Sequence, residues 1–113
     1  MPLSSRDLLE QARGVIPEVD CAELSRTLEQ DPTHTVLDVR ELEEVTQGLL
    51  QTAVHIPRGY LELRVETVLP DRTRPVTIYC AGGVRSLLAA STMRSMGYTD
   101  VRSLKGGFVA WKD

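Results

Sequence analysis

The stretch TIYCAGGVRSLLAA, residues 77–90, decides the fold prediction. It begins with residues suited to a buried strand, passes through a cysteine and two glycines, and continues with residues that favour a helix. The pattern predicts a strand at residues 75–80, a tight loop, and a helix from about Arg85 to Gly97, where a glycine suits a left-handed cap. A cysteine in this position, followed by two glycines and an arginine, suggests chemistry as well as packing.

Predicted strands and helices alternate along the rest of the chain. Ser4 or Ser5 would cap the first helix, and Asp20 with Glu23 has the spacing of a capping box at the second. Strands that alternate with helices at short intervals indicate an α/β fold with a mainly parallel sheet and helices on both faces. Further helices are expected at residues 4–13, 20–30, 41–47, 61–69 and 106–113, and strands near residue 19 and at residues 34–40, 53–57 and 100–104.

Length and composition favour a single globular domain over residues 1–113, with a leading helix inside residues 1–16. Apolar residues make up 42% and charged residues 26% of the chain, which excludes the disordered and fibrous classes. The net charge of -3 offers no basic surface for nucleic acid or for an anionic membrane. No apolar run reaches the roughly 18 residues of a membrane span, and the start lacks the order of a signal peptide, so we expect a cytoplasmic protein.

The cysteines and histidines suggest neither a disulfide framework nor a metal site. Cys21 and Cys80 are far apart, form no CxxC pair, and are accompanied by only two histidines. We expect Cys21 to be a partly buried packing residue, because its neighbours are apolar. His55 is expected to be a structural hydrogen-bonding residue at a strand end, and His34 a solvated loop residue.

The loop after Cys80 has the features that activate a cysteine. A free thiol has a pKa of about 8.5, and the thiolate rather than the thiol is the nucleophile. Backbone N–H groups of residues 81–86 would turn inward as an anion-binding nest, and the start of the following helix would add its positive dipole end. Gly82 and Gly83 would permit positive φ and a close approach of the backbone to an anion.

Arg85 and Ser86 extend this prediction. Arg85 would supply a fixed positive charge, and Ser86 would cap the helix and offer a hydroxyl donor. Each feature alone has a simpler explanation, since Cys80 could be a packing residue, the glycines a tight turn and Arg85 a solvated side chain. Their joint placement favours a nucleophilic site.

Motifs spread over most of the chain agree with this interpretation. In chain order they are LDVRELEE with Gly48 downstream, AVHIPRGYLE, VTIYCAGGVRS, GYTDV and LKGGFVAW. Together they resemble the rhodanese homology domain, in its single-domain sulfurtransferase form. The resemblance implies a three-layer α/β/α sandwich around a five-stranded, mainly parallel sheet, in which the LDVR and IYC strands are adjacent.

The resemblance also implies roles for particular residues. Cys80 would accept a sulfane sulfur and carry it as a persulfide, and residues 81–85 would form the anion-binding loop. Asp38 and Arg40 match the DVRE element beneath that loop, and would brace it, with Asp38 pairing either a donor of the loop or helix start or Arg40. The donor would be thiosulfate or a protein persulfide, and the acceptor a thiol, cyanide or a sulfur-carrier protein. No cofactor or metal is required.

Two other functions are compatible with the same architecture. One is a non-catalytic binding or regulatory module, against which the presence of Cys80 with Arg85 counts. The other is a phosphatase or arsenate reductase, because cell-cycle phosphatases of this architecture have five residues between cysteine and arginine. Here there are four, and this shorter loop resembles that of the sulfurtransferases: Ala81, Gly82, Gly83 and Val84.

The chain departs from the family pattern at one segment and ends abruptly. Residues 48–53 read GLLQTA where the family often reads GHIPGA, so this segment lacks the family's histidine and Pro-Gly turn. Phe108 and Trp111 have helical spacing and are expected to anchor the last helix in the core. Because that helix is short, we expect the domain to be the N-terminal part of a longer protein, with a fused adenylyltransferase domain as the candidate neighbour.

Overall fold

The computed structural model of the chain describes residues 2–113. Over that range no helix is long and apolar enough to cross a bilayer. The helices are α1 (Ser5–Val15), α2 (Cys21–Gln30), α3 (Leu42–Val45), α4 (Leu61–Val68), α5 (Val84–Ser95) and α6 (Gly107–Trp111), with a 3₁₀ turn at Arg58–Tyr60. The strands are β1 (Glu18–Val19), β2 (Thr35–Asp38), β3 (Val54–His55), β4 (Val76–Tyr79) and β5 (Val101–Leu104).

The five strands form one sheet in the order β1-β5-β4-β2-β3. Every neighbouring pair is parallel, so the prediction of a five-stranded, mainly parallel sheet is confirmed. The central pair, β2 and β4, aligns from Thr35 opposite Val76 to Asp38 opposite Tyr79. Because both strands run in the same direction, the residues that follow Asp38 and Tyr79 emerge at the same edge of the sheet.

The sheet separates two apolar cores, which confirms the three-layer prediction. Along β2 and β4 the side chains alternate, so that Leu37 and Ile78 face one core while Val36 and Tyr79 face the other. Helices α1, α4 and α5 cover the first core, and α2 and α6 cover the second. The helical residues in these cores include Ala12, Leu61, Val65, Leu87, Ala90 and Met93 on the first side, and Leu24, Phe108 and Trp111 on the second.

Local capping signals place the helix ends. The Asp20 side chain accepts a hydrogen bond from the Glu23 amide, and the Glu23 carboxylate accepts one from the Asp20 amide, so α2 begins with the predicted capping box. Ser4 caps α1 in the same way. Gly97 has φ +100°, which confirms the left-handed residue predicted after α5.

The prediction that His34 is a solvated loop residue is wrong. His34 is only 6% exposed, and its Nε2 lies 2.8 Å from the Thr77 hydroxyl of β4. The bond joins the segment before β2 to its neighbour at the edge opposite Cys80. Burial is the main cause that lowers the pKa of His34 below its ordinary value. The charged side chains around it are Asp31, Arg74, Asp100 and Arg102.

We expect His34 to make folding stability depend on pH. Its pKa is lowered in the folded state, so the unfolded chain binds more protons below its ordinary pKa of about 6.5 and the folded state loses stability as the pH falls. The free energy of unfolding in urea, measured between about pH 7.5 and about pH 5.5, should therefore fall more steeply for the wild type than for His34→Gln. Parallel pH profiles would contradict this.

Candidate active site

Cys80 and Asp38 lie at the carboxyl edge of the sheet, on adjacent strands. Asp38 ends β2, and Cys80 directly follows β4 and is 1% exposed. In open parallel sheets this edge is where ligands bind, because the connections that leave the strands form a crevice there. The sheet thus brings the two sequence-predicted groups together, and the loop after Cys80 completes the site.

Hydrogen-bonding groups surround the Cys80 sulfur. The Gly83 and Ser86 amides donate to Sγ at 3.0 and 3.4 Å. The thiol donates to the Ser86 hydroxyl oxygen at 3.4 Å, and the same hydroxyl becomes the donor when Cys80 is a thiolate. Gly83 has φ +100°, and a Cβ there would come within 3.3 Å of the Leu104 carbonyl oxygen, so this position favours glycine. Gly82 could also have adopted a positive φ but does not, and a Cβ at Gly82 would meet open space.

Ser86 is not the helix cap that the sequence predicted. Helix α5 begins at Val84, one residue earlier than expected, and its N-cap is Gly83. Ser86 therefore lies in the first turn with its side chain buried, and its hydroxyl is 2.8 Å from the Ser103 hydroxyl of β5 as well as near Cys80. The side chain of Val84, which was expected to belong to the anion-binding loop, is 48% exposed.

Two opposing effects set the pKa of the Cys80 thiol. Burial is the largest single effect and raises the pKa, because it disfavours the charged form. Hydrogen bonds from the Ser86 hydroxyl and from the amides of Ser86, Gly83 and Gly82 lower it, and together they outweigh burial. The pKa of Cys80 is therefore lower than that of an ordinary thiol, which increases the thiolate population at neutral pH.

Helix α6 binds the backbone of the loop that begins at Cys80. The amides of Phe108 and Val109 donate hydrogen bonds of 2.8 and 3.1 Å to the carbonyls of Cys80 and Ala81. Gly107 has φ +58°, and a Cβ there would overlap both of those carbonyl oxygens. Gly107 is consequently a site residue that the sequence reasoning missed, although the glycine pair of LKGGFVAW was a signal for a close backbone approach.

Asp38 and Arg40 form a buried ion pair beside the loop. The Arg40 Nε lies 3.1 Å from both carboxylate oxygens of Asp38, and Nη2 lies 2.8 Å from Oδ2. Of the alternative partners predicted for Asp38, the structure shows Arg40. Arg40 also donates to the Gly48 carbonyl at 2.7 Å and places its guanidinium 4.3 Å from the Phe108 ring centre. His55 Nε2 is 2.7 Å from the Arg40 carbonyl oxygen, which agrees with a structural role.

Arg85 is paired with a residue that the sequence did not single out. Its Nη1 and Nη2 lie 2.7 and 2.9 Å from the two carboxylate oxygens of Glu44 in α3. Hydrogen bonding to Arg85 is the main cause that lowers the pKa of Glu44 to about 2. The carboxylate therefore balances the positive charge that was predicted to face an anion.

A cleft of about 270 Å³ opens beside the loop, between α3 and α6. Its lining includes Arg40, Glu44, Ala81, Phe108 and Lys112. Among residues 2–113, no group of three or more histidine, cysteine, aspartate or glutamate side chains is arranged to hold a metal ion.

Cys21, by contrast, lies away from this chemistry. It is partly buried and packs against the second core, as predicted from its apolar neighbours. Burial, together with the nearby Asp20 carboxylate, raises the pKa of its thiol. The two cysteines thus differ in the direction of their pKa shifts.

We predict that Gly107→Ala destabilises the protein by more than about 2 kcal/mol, because the new methyl group would meet two carbonyl oxygens at a left-handed backbone position. Chemical denaturation would measure the change. Gly14→Ala is the matched control, since Gly14 lies in α1 with open space around it and alanine there should stabilise the helix by about 0.5–1 kcal/mol. Equal stability of the two variants would contradict the proposed steric limit at Gly107.

We predict that Ser86→Ala raises the pKa of Cys80, because it removes the hydroxyl hydrogen bond to the thiolate. The pH dependence of the iodoacetamide alkylation rate at Cys80 would measure it. Ser95→Ala is the control, since the Ser95 hydroxyl lies on the same helix but donates to the Ser91 carbonyl at 3.2 Å. An unchanged Cys80 pKa in Ser86→Ala would contradict the prediction, because it would show that the backbone amides alone stabilise the thiolate.

Comparisons with known proteins identify the family. The rhodanese-like domain family model matches residues 20–113. A sulfurtransferase from Allochromatium vinosum is 32% identical over 97 residues, covering 86% of this chain and 89% of that protein. The thiosulfate sulfurtransferase PspE from Escherichia coli is 36% identical over 70 residues, covering 62% of this chain and 67% of that protein.

One solved structure aligns along the whole chain. It is the Rhodopseudomonas palustris "Protein of Unknown Function RPA3614, Possible Tyrosine Phosphatase", with a TM-score of 0.89 and 27% identity, covering 100% of this chain and 95% of that one. Fold, motif order and relatives therefore agree: the chain belongs to the rhodanese-like domain family and is homologous to sulfurtransferases.

Proposed function

We propose that the protein is a sulfurtransferase in which Cys80 carries sulfane sulfur as a persulfide. The observation that carries this proposal is the set of amide and hydroxyl donors around Sγ, supplied by Gly83 and Ser86. These donors favour the thiolate as the attacking group, and they also suit the persulfide anion that replaces it. The sulfurtransferases among the relatives support this chemistry.

Loading consists of one displacement at sulfur. The Cys80 thiolate attacks the sulfane sulfur of the donor, a new S–S bond forms, and the donor's own bond to that sulfur breaks. With thiosulfate the leaving group is sulfite, and the product is Cys80–S–S⁻. A thiol, cyanide or a sulfur-carrier protein then attacks the outer sulfur and releases the Cys80 thiolate, so that no external oxidant or reductant is needed.

The surrounding residues fix the geometry of this step. The Asp38–Arg40 ion pair holds the segment that leads from β2 into α3, and the amides of α6 hold the loop carbonyls. The reacting sulfur is thereby held by groups whose positions are set before a donor arrives, which reduces the reorganisation needed in the transition state.

Phosphatase activity is the second candidate, because the structurally similar protein RPA3614 is named a possible tyrosine phosphatase. One observation counts against it in this chain: four residues rather than five separate Cys80 from Arg85, and this shorter loop resembles that of the sulfurtransferases.

Intact-protein mass spectrometry after treatment with thiosulfate tests the proposal. The wild type should gain about 32 Da, the mass of one sulfur atom, and cyanide should remove it. Cys80→Ser should gain no sulfur. The matched control Cys21→Ser should gain one sulfur atom like the wild type, because Cys21 lies outside the loop that follows Cys80. A persulfide of a small thiol should be tried as a second donor.

The outcomes separate the candidate functions. If no donor adds sulfur to Cys80, the sulfurtransferase proposal is wrong and a binding module becomes the better interpretation. Hydrolysis of p-nitrophenyl phosphate that depends on Cys80, without sulfur loading, would favour the phosphatase. Loading at Cys21 alone would place the reactive thiol outside the site described above.

A further inference from the structure

The arginine beside Cys80 is bound by a carboxylate of the protein itself. Both terminal nitrogens of Arg85 contact Glu44, at 2.7 and 2.9 Å, in the two-pronged geometry with which arginine binds oxyanions. The two side chains are 37% and 32% exposed. Glu44 lines the cleft beside the Cys80 loop, so an anionic donor that enters the cleft meets this carboxylate, which already occupies the contacts with Arg85 that the donor would use.

Glu44 is held in place independently of Arg85. It is the third residue of α3, and its Oε1 accepts a hydrogen bond of 3.1 Å from the Glu41 amide in a capping box. The low pKa of Glu44 keeps it ionised throughout the neutral range. An anion that approaches Arg85 must displace a fixed carboxylate or share the guanidinium with it.

The other charged residues of the cleft do not replace the positive charge that Glu44 neutralises at Arg85. Arg40 is neutralised by Asp38, and Glu43 adds an exposed negative charge on α3. Lys112 is the cation of the lining that makes no ion pair within the described residues. The positive and negative groups around the cleft thus balance, which offers little attraction to a dianion.

Donors differ greatly in the charge they bring to this cleft. Thiosulfate is a dianion, so its attack by the Cys80 thiolate gathers three negative charges in one transition state and releases sulfite as a dianion. A persulfide donor brings at most one negative charge, as R–S–S⁻, and none in the protonated form R–S–SH. Attack on the outer sulfur of the protonated form therefore gathers only one negative charge in the transition state. This displacement yields Cys80–S–SH and R–S⁻, and transfer of the proton between them gives Cys80–S–S⁻ and R–SH.

We propose that Glu44 determines donor specificity: by occupying Arg85 it makes Cys80 select persulfides of thiol compounds over thiosulfate. The proposal rests on the proposed sulfurtransferase function. Glu44 acts through Arg85 and is a positioning residue rather than a catalytic one, because it does not contact the Cys80 sulfur. The amides of Gly83 and Ser86 are sufficient for a donor of low charge, whereas a dianion needs the guanidinium as well.

The first test compares two donors on three proteins. Rates of sulfur loading at Cys80 are measured by mass spectrometry with thiosulfate and with the persulfide of N-acetylcysteamine, whose organic part is neutral. In Glu44→Gln the ratio of the thiosulfate rate to the persulfide rate should rise about tenfold relative to the wild type, since removing the carboxylate frees the guanidinium. Glutamine can still accept the Glu41 amide bond, so the helix cap is kept.

Glu43→Gln is the matched control for this comparison. It removes the same charge from the same helix at the same cleft, but Glu43 makes no ion pair. Its rate ratio should change by less than about twofold. A second control places Glu44→Gln in an Arg85→Gln background, where the effect of Glu44 should disappear because it acts through Arg85.

The second test does not depend on sulfur transfer. Sulfate is an unreactive dianion, and its binding should protect Cys80 from alkylation by iodoacetamide. The sulfate concentration that halves the alkylation rate should be about tenfold lower for Glu44→Gln than for the wild type, and Glu43→Gln should resemble the wild type.

An unchanged donor ratio with unchanged sulfate protection in Glu44→Gln would overturn the proposal. Slower thiosulfate loading in that variant would also overturn it, because Glu44 would then orient Arg85 toward the donor instead of occupying it. If neither donor loads Cys80 in the wild type, the sulfurtransferase function and the donor preference both fail. Sulfate protection would still show in that case whether Glu44 controls the access of anions to the loop.

Discussion

Two hydrogen bonds from the last helix orient the loop that begins at Cys80. The amides of Phe108 and Val109 bind the carbonyls of Cys80 and Ala81. In a planar trans peptide the carbonyl and the following N–H point in opposite directions, so a carbonyl of Ala81 turned toward α6 turns the Gly82 amide toward the sulfur. The electrostatics of the site therefore depend on a contact between a loop and a short helix that follows it by more than twenty residues.

The second constraint is the buried pair of Asp38 and Arg40. Taking two charges out of water is costly, and the cost is offset here because the guanidinium also binds the Gly48 carbonyl and stacks on Phe108. These contacts tie the end of β2 to the segment around α3. Since α3 carries Glu44, the buried pair also fixes the carboxylate that faces Arg85. The charge balance of the cleft therefore depends on the contact between Asp38 and Arg40.

Much of the architecture could be predicted from the sequence because its signals are local. The capping box of α2, the glycine after α5 and the alternation of strands with helices each involve residues close together in the chain. The parallel sheet then brings Asp38 and Cys80 to one edge without further information. The resemblance to rhodanese domains added the five-stranded sheet and the adjacency of the LDVR and IYC strands, which periodicity alone does not specify. It also suggested the persulfide chemistry that we propose.

The parts that could not be predicted depend on distant partners. Glu44 and Arg85 are 41 residues apart, and His34 and Thr77 are 43 residues apart; nothing in ELEE distinguishes the glutamate that meets Arg85. Ser86 was expected to cap α5, but the approach of β5 directs its hydroxyl to Ser103. In each case a local rule gave a reasonable expectation, and a tertiary contact determined the actual partner.

The charge pattern of the site agrees with a group that is always a monoanion. The thiolate and the proposed persulfide of Cys80 would each carry one negative charge, so fixed amide dipoles could stabilise each state without rearrangement. A phosphorylated cysteine would carry two negative charges, and an unpaired cation would be needed to neutralise the second charge. Arg85 is bound to Glu44 instead. Neutral hydrogen-bond donors around the Cys80 sulfur, with an arginine whose charge is neutralised by Glu44, therefore suit the storage of sulfur better than the transfer of a phosphoryl group.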